Sequence, residues 1–133
     1  MRVYLDTAPV IYTIEQVPEF AFHVREYFST GEYSFVVSDL TRLECRVKPL
    51  REQNSSLLVD YDLFFANVVS ETILLSRDVI DRATVIRAQY NFKTVDAIHL
   101  SAAIMSNCKR FLTNDHRLDR FNDFAIDIVS RAS

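Results

Sequence analysis

Short runs of β-forming residues alternate along this chain with stretches of helical period, and that alternation restricts the fold more than any single motif does. Arg2–Asp6 (RVYLD), Tyr33–Ser38 (YSFVVS), Thr72–Leu75 (TILL), Arg110–Thr113 (RFLT) and Phe124–Val129 read as strands. A helix is expected from Thr7 to about Glu15, with Pro9 in its first turn. Another runs from Pro18 to about Thr30, with Phe20, Val24, Tyr27 and Phe28 on one stripe and Gly31 ending it. After the second strand, Asp39 or Thr41 caps a helix through about Val47, and Pro49 marks a break or kink. Further helices are expected over Ser55–Val68, over Arg77–Tyr90 with Val79, Ala83, Ile86 and Tyr90 aligned, over Thr94–Ser106, and briefly over His116–Phe121. Alternation of this kind implies an α/β fold with a mostly parallel sheet flanked by helices. The Thr94–Ser106 helix is apolar on most sides, through Val95, Ala97, Ile98, Leu100, Ala102, Ala103, Ile104 and Met105, so it belongs in the centre of the fold.

The length of 133 residues suits one compact domain over residues 1–133, and a hydrophobic share of 49% is enough to fill its core. No apolar run approaches the roughly 18–20 residues that a membrane-spanning helix needs. The chain enters its first strand at once, with no signal-peptide pattern, so a cytoplasmic protein is expected. Cys45 and Cys108 fit neither CxxC nor a zinc spacing and read as buried thiols. With Gly31 as the only glycine, neither a GxGxxG nor a GxxxxGK[ST] phosphate loop can exist, and chemistry must come from side chains. The formal net charge of −3 is unusual for a protein that grips nucleic acid by counterion release. A nucleic-acid partner would therefore need divalent cations or a local basic patch as intermediary.

Four acids stand out by position. In open parallel sheets functional groups gather beyond the carboxyl ends of the strands. Asp6 ends the first strand and Asp115 follows the RFLT strand, although an aspartate at a strand-to-helix junction is also a good helix cap. Glu44 is either the far member of a Thr41–Glu44 capping box or, if the helix starts at Ser38 or Asp39, a residue about one and a half turns in. Asp96 lies in the first turn of the most apolar helix, where the helix dipole favours it, yet burying it ionised requires a partner or a metal, and Lys93 is the nearest cation in sequence. If Asp6, Glu44, Asp96 and Asp115 converge, mutual repulsion forbids all four from ionising without a cation. Hard oxygen donors suit Mg²⁺ or Mn²⁺, and such ions activate water against a phosphodiester.

Val3-Tyr4-Leu5-Asp6-Thr7, Ser38-Asp39-Leu40-Thr41-Arg42-Leu43-Glu44, the Thr94–Ala103 segment TVDAIHLSAA and Phe111-Leu112-Thr113-Asn114-Asp115 together resemble the PIN-domain family, and within it the VapC-type toxins. Order, spacing and element types agree along essentially the whole chain. The resemblance implies a parallel sheet flanked by helices and an acidic quartet at Asp6, Glu44, Asp96 and Asp115 that serves as both metal-ligand and catalytic set. It further implies a Mg²⁺- or Mn²⁺-dependent RNA endonuclease, the toxin of a type II toxin–antitoxin system, working as a homodimer and neutralised by a cognate antitoxin. Many relatives carry Asn or Ser after the Asp-Thr pair; Ala8-Pro9 stands here instead, which removes a secondary polar contact and leaves the quartet intact.

Other side chains carry weaker expectations. His99 reads as a core residue, with a ligand role as the alternative, while His116 reads as a surface residue and His23 as structural. Arg42, Arg46 and Lys48 either steer an RNA backbone or form a solvated helix face. Tyr61, Phe64 and Phe65 belong to the core or a dimer contact, and Asp119 to the surface. Two other functions compete. An aspartyl phosphotransferase would place a second acid two residues after Asp6, where Ala8 stands. A catalytically silent PIN-like module for RNA or protein interaction would have no need of all four acids.

Overall fold

A computed structural model of the chain describes residues 1–129; the last four, which the single-domain reading takes in, lie outside the described residues. Its strands are β1 (Arg2–Leu5), β2 (Ser34–Ser38), β3 (Val69–Ile73), β4 (Arg110–Thr113) and β5 (Ala125–Ile128), in the spatial order β3-β2-β1-β4-β5. Every pairing is parallel. The helices are α1 (Thr7–Ile14), α2 (Pro18–Ser29), α3 (Asp39–Arg51), α4 (Ser55–Asn67), α5 (Arg77–Tyr90) and α6 (Thr94–Met105), with a 3-10 turn over His116–Arg120. The expected α/β architecture, a central parallel sheet flanked by helices, is the one observed.

Strand pleating sends alternate residues to opposite faces, and the central strands bury both. Tyr4, Val36 and Phe111 enter one core with Ala97, Leu100 and Ala103 of α6 and Val79, Ala83 and Ile86 of α5. Val3, Leu5, Phe35, Val37 and Leu112 enter the other with Val10, Val24, Tyr27, Tyr61, Phe64 and Phe65. Tyr61, Phe64 and Phe65 are thus core residues, and Cys45 and Cys108 are buried free thiols. The α6 helix is central as its composition demands, with Leu100, Ala102 and Ala103 wholly buried. Gly31, one position past the C-cap of α2, takes φ +71°, the left-handed turn that glycine makes without steric cost.

Three boundaries differ from expectation. The third strand is Val69–Ile73 and not Thr72–Leu75, because register with β2 outranks hydrophobic content: Val69 pairs with Phe35 and Ile73 with Ser38, while Leu74 is exposed past the strand end. Helix α3 runs through Pro49 to Arg51 instead of stopping near Val47. The proline removes one donor, but the carbonyls of Lys48 and Pro49 still receive the N–H groups of Glu52 and Asn54, so the last turn holds. The cap of α3 is Ser38, closed by a box with Thr41, so the Thr41–Glu44 box does not form. Among the described residues no helix is long and apolar enough to cross a membrane.

Candidate active site

The carboxyl edge of the sheet assembles the acids, and two of them, Asp6 and Asp115, also cap helical turns. Asp6 extends β1 by donating its N–H to the Leu112 carbonyl at 2.9 Å, and its Oδ1 caps α1 by accepting the Thr7 N–H at 2.8 Å. Asp115 follows β4, and its Oδ1 caps the 3-10 turn through the Arg117 N–H at 2.9 Å. Capping and membership of the cleft are therefore compatible roles here. Glu44, well inside α3, accepts from Thr7 Oγ1 and bonds His99 Nε2, both at 2.7 Å and both on Oε1. Asp96, in the first turn of α6, makes no hydrogen bond or ion pair among the described residues.

Two threonines and a histidine tie the acids together. Thr113 Oγ1 donates to Asp6 Oδ2 at 2.7 Å and accepts the Asp115 N–H at 3.1 Å, which locks the ends of β1 and β4 to each other. His99 Nε2 lies 2.7 Å from Glu44 Oε1 and 3.6 Å from Asp6 Oδ1, beneath both carboxylates. Asp96 joins the group electrostatically: burial raises its pKa first, and the negative charges of Asp6 and Asp115 raise it further, against smaller relief from Arg117 and His99. The hydrogen bonds of Arg117 hold Asp115 below the usual carboxylate range. Burial pushes Glu44 upward, but the bonds from His99 and Thr7 outweigh it and keep that carboxyl low.

Among the described residues, Arg117 is the cation that pairs with one of these acids. Arg117 grips Asp115 with both ends of its fork, Nε to Oδ1 at 3.0 Å and Nη2 to Oδ2 at 2.7 Å, while its side chain stays 64% exposed. The sequence reading put Lys93 nearest Asp96; Lys93 instead adds to the field at Asp115, and Arg117 is the cation that bears on Asp96. Among the described residues no three His, Cys, Asp or Glu side chains are drawn tightly enough to enclose a metal ion as they stand.

Sequence reasoning missed Arg117, Thr7 and Thr113, although the two threonines each flank an acid in the motifs that drew attention. It placed His99 in the core, where the ring does lie, 2% exposed, but not against Glu44. The cations of α3 are engaged elsewhere: Arg46 and Arg42 pair with Asp62 of α4, and Lys48 with Glu15 at 2.7 Å. His116 and Asp119 are exposed. His23 stands 3.6 Å from Asp127, away from the acids.

Fold and site together define an α/β protein with carboxylates gathered at the carboxyl edge of a parallel sheet. The PIN domain family model matches residues 3–123, and the chain belongs to the PIN-domain family. No curated protein sequence matches the chain. Among solved structures it is similar to VapBC2 from Rickettsia felis, bound to a promoter DNA fragment, at TM-score 0.78 and 17% identity, over 96% of this chain and 98% of that one. A toxin–antitoxin complex from Klebsiella pneumoniae matches at TM-score 0.79 and 15% identity, over 98% and 99%. VapC20 of Mycobacterium tuberculosis, described as a toxin that cleaves the sarcin–ricin loop, matches at TM-score 0.68 and 12% identity, over 82% and 86%. At these identities the likeness is one of fold.

Proposed function

We propose that the protein is a divalent-metal-dependent RNA endonuclease, the toxin of a type II toxin–antitoxin pair, folded as a single PIN domain over residues 1–133. The observation that carries this is Asp96, a partly buried carboxylate with no hydrogen-bond or ion-pair partner among the described residues, whose pKa is raised first by burial and then by the neighbouring charges of Asp6 and Asp115. A cleft of this kind fits a hard cation, because its donors are all carboxylate oxygens and its charge is undercompensated. Asp6, Asp96, Asp115 and Glu44 would hold Mg²⁺ or Mn²⁺. When bound, such an ion lowers the pKa of water and offsets charge on the scissile phosphate.

The chain's own groups prepare that chemistry. Thr113 and the Thr7 N–H hold both oxygens of Asp6 in place, so its carboxylate is preorganised. Glu44 completes the cluster or orients the attacking water. The exposed Arg117 pairs with Asp115, which supports the idea that a guanidinium is an acceptable guest at these acids. A cognate antitoxin would exploit this by inserting a basic side chain. A homodimer is the assembly expected, and Leu43, Val47 and Leu50, exposed on α3 at helical spacing, offer it an apolar face.

The test is cleavage of a mixed tRNA, rRNA and mRNA pool by purified protein with Mg²⁺, with Mn²⁺ and with EDTA, beside Asp96→Asn. Defined fragments that require metal and vanish in the variant are expected. No cleavage by folded, metal-supplied protein would favour the silent interaction module.

A further inference from the structure

We propose that His99 is a positioning residue for RNA cleavage: its ring, set by Tyr4, fixes Glu44 by one carboxylate oxygen and leaves the other for the reaction. The inference rests on the nuclease reading and assigns a task within it.

Geometry carries the case. Thr7 Oγ1 and His99 Nε2 both meet Oε1 of Glu44 at 2.7 Å, while Oε2 makes no hydrogen bond among the described residues. Glu44 is thus a one-oxygen group whose second oxygen has a defined direction. A carboxylate oxygen accepts hydrogen bonds, so in this contact the ring Nε2 is the donor. On the far side of the ring, Nδ1 lies 2.7 Å from the Tyr4 hydroxyl, which is itself 2.9 Å from Ser38 Oγ and 3.4 Å from Thr41 Oγ1. Tyr4 is wholly buried and stacks on Phe111 with ring centroids 5.2 Å apart, so the phenol cannot drift. The chain of contacts runs from the sheet core through Tyr4 and His99 to Glu44: the Tyr4–His99 link is buried, the His99–Glu44 link part-buried, and both are 2.7 Å. A bare glutamate with three free torsions would scatter its carboxyl over several ångströms. A misplacement of 1 Å is enough to lower a rate by about 10²-fold.

The experiment has two readouts. The first is the ring N–H of His99, followed by ¹H–¹⁵N NMR in metal-free protein. A protected Nε2–H resonance is expected in the wild type and should be lost in Glu44→Ala; its persistence there, or its absence from the wild type, would overturn the arrangement. The second is RNA cleavage. His99→Leu should lower kcat by about 10- to 100-fold with a much smaller change in KM, and His99→Gln, which keeps a donor where Nε2 stood, should recover most of it. Full activity in the leucine variant, or a glutamine variant as poor as the leucine one, would refute the positioning role. If His99→Leu does not fold, Thr7→Val removes the other donor on the same oxygen, and its loss should be reversed in Thr7→Ser; an unaffected Thr7→Val then refutes the role. Failure of the wild type to cleave RNA would sink the nuclease reading alone, since the N–H measurement still decides how Glu44 is held.

Discussion

Two groups of acids in this protein are handled in opposite ways. On the seam of α3 with α1 and α4, each carboxylate meets a full cation: Glu15 takes Lys48 and the Tyr61 hydroxyl, and Asp62 takes Arg46 with Arg42 nearby. At the carboxyl edge of the sheet, Asp6 and Glu44 are held by threonine hydroxyls, a backbone N–H and an imidazole, Asp96 by nothing among the described residues, and only Asp115 by an arginine. The first arrangement neutralises charge and fastens helices. The second orients Asp6 and Glu44 without neutralising them and leaves Asp96 unpaired among the described residues, which suits a cation site. Acids alone do not mark a site; acids gathered with too few cations to neutralise them do.

The sharpest way to break the contrast is Asp96→Asn. Cleavage should fall by at least about 10²-fold, since metal ions contribute several kcal/mol to such reactions and each tenfold is about 1.4 kcal/mol. The same variant should be the more stable protein at neutral pH without metal. The raised pKa of Asp96 means that the folded chain holds this proton more tightly than the unfolded chain does. Its ionisation therefore withdraws stability as pH rises through that raised value. Removing the charge should lift Tm at pH 7 by up to about 3 °C, a small figure because solvent screens the site, and the gap should close near the ordinary carboxylate range. A variant less stable than the wild type at neutral pH would contradict the electrostatic picture. Glu44 and Asp115, both held low, behave in the reverse sense: their stabilisation is complete above the ordinary carboxylate range and lost as pH falls through their lowered values.

A smaller effect is expected at the cleft entrance. Arg117 must leave Asp115 before a divalent ion can use that carboxylate, so Arg117→Gln should tighten Mn²⁺ binding by about two- to fivefold. Weaker binding would instead make Arg117 part of the receiving site. The smallest effect belongs to the seam. Lys48 is exposed, and Lys48→Met should leave both cleavage and Mn²⁺ affinity unchanged within error.

Much of this was legible because local rules and the fold agree. Asp6 and Asp115 could be read as strand-end residues since RVYL and RFLT are bounded β-runs, and Asp96 stood out as the acid in the first turn of an apolar helix. Glu44 was ambiguous until the cap of α3 was known to be Ser38. What escaped the sequence depends on distant contacts. His99 meets Glu44 across 55 residues and Tyr4 across 95, and no periodicity encodes those meetings. The Arg117–Asp115 pair is close in sequence, but an exposed arginine two residues on has many rotamers, and only the strand-end geometry selects this one. The bounds of β3 differ from the hydrophobic run because none of its residues is fully buried and its register comes from β2.

The most direct measurement is a calorimetric titration of Mn²⁺ into metal-free wild type, Asp96→Asn and Glu15→Gln. Saturable binding in the wild type and in Glu15→Gln, with loss in Asp96→Asn, is the predicted result, because only the uncompensated acids recruit the ion. Equal binding by all three proteins, or none by the wild type, would contradict the claim that the carboxyl-edge cleft is a cation-dependent site.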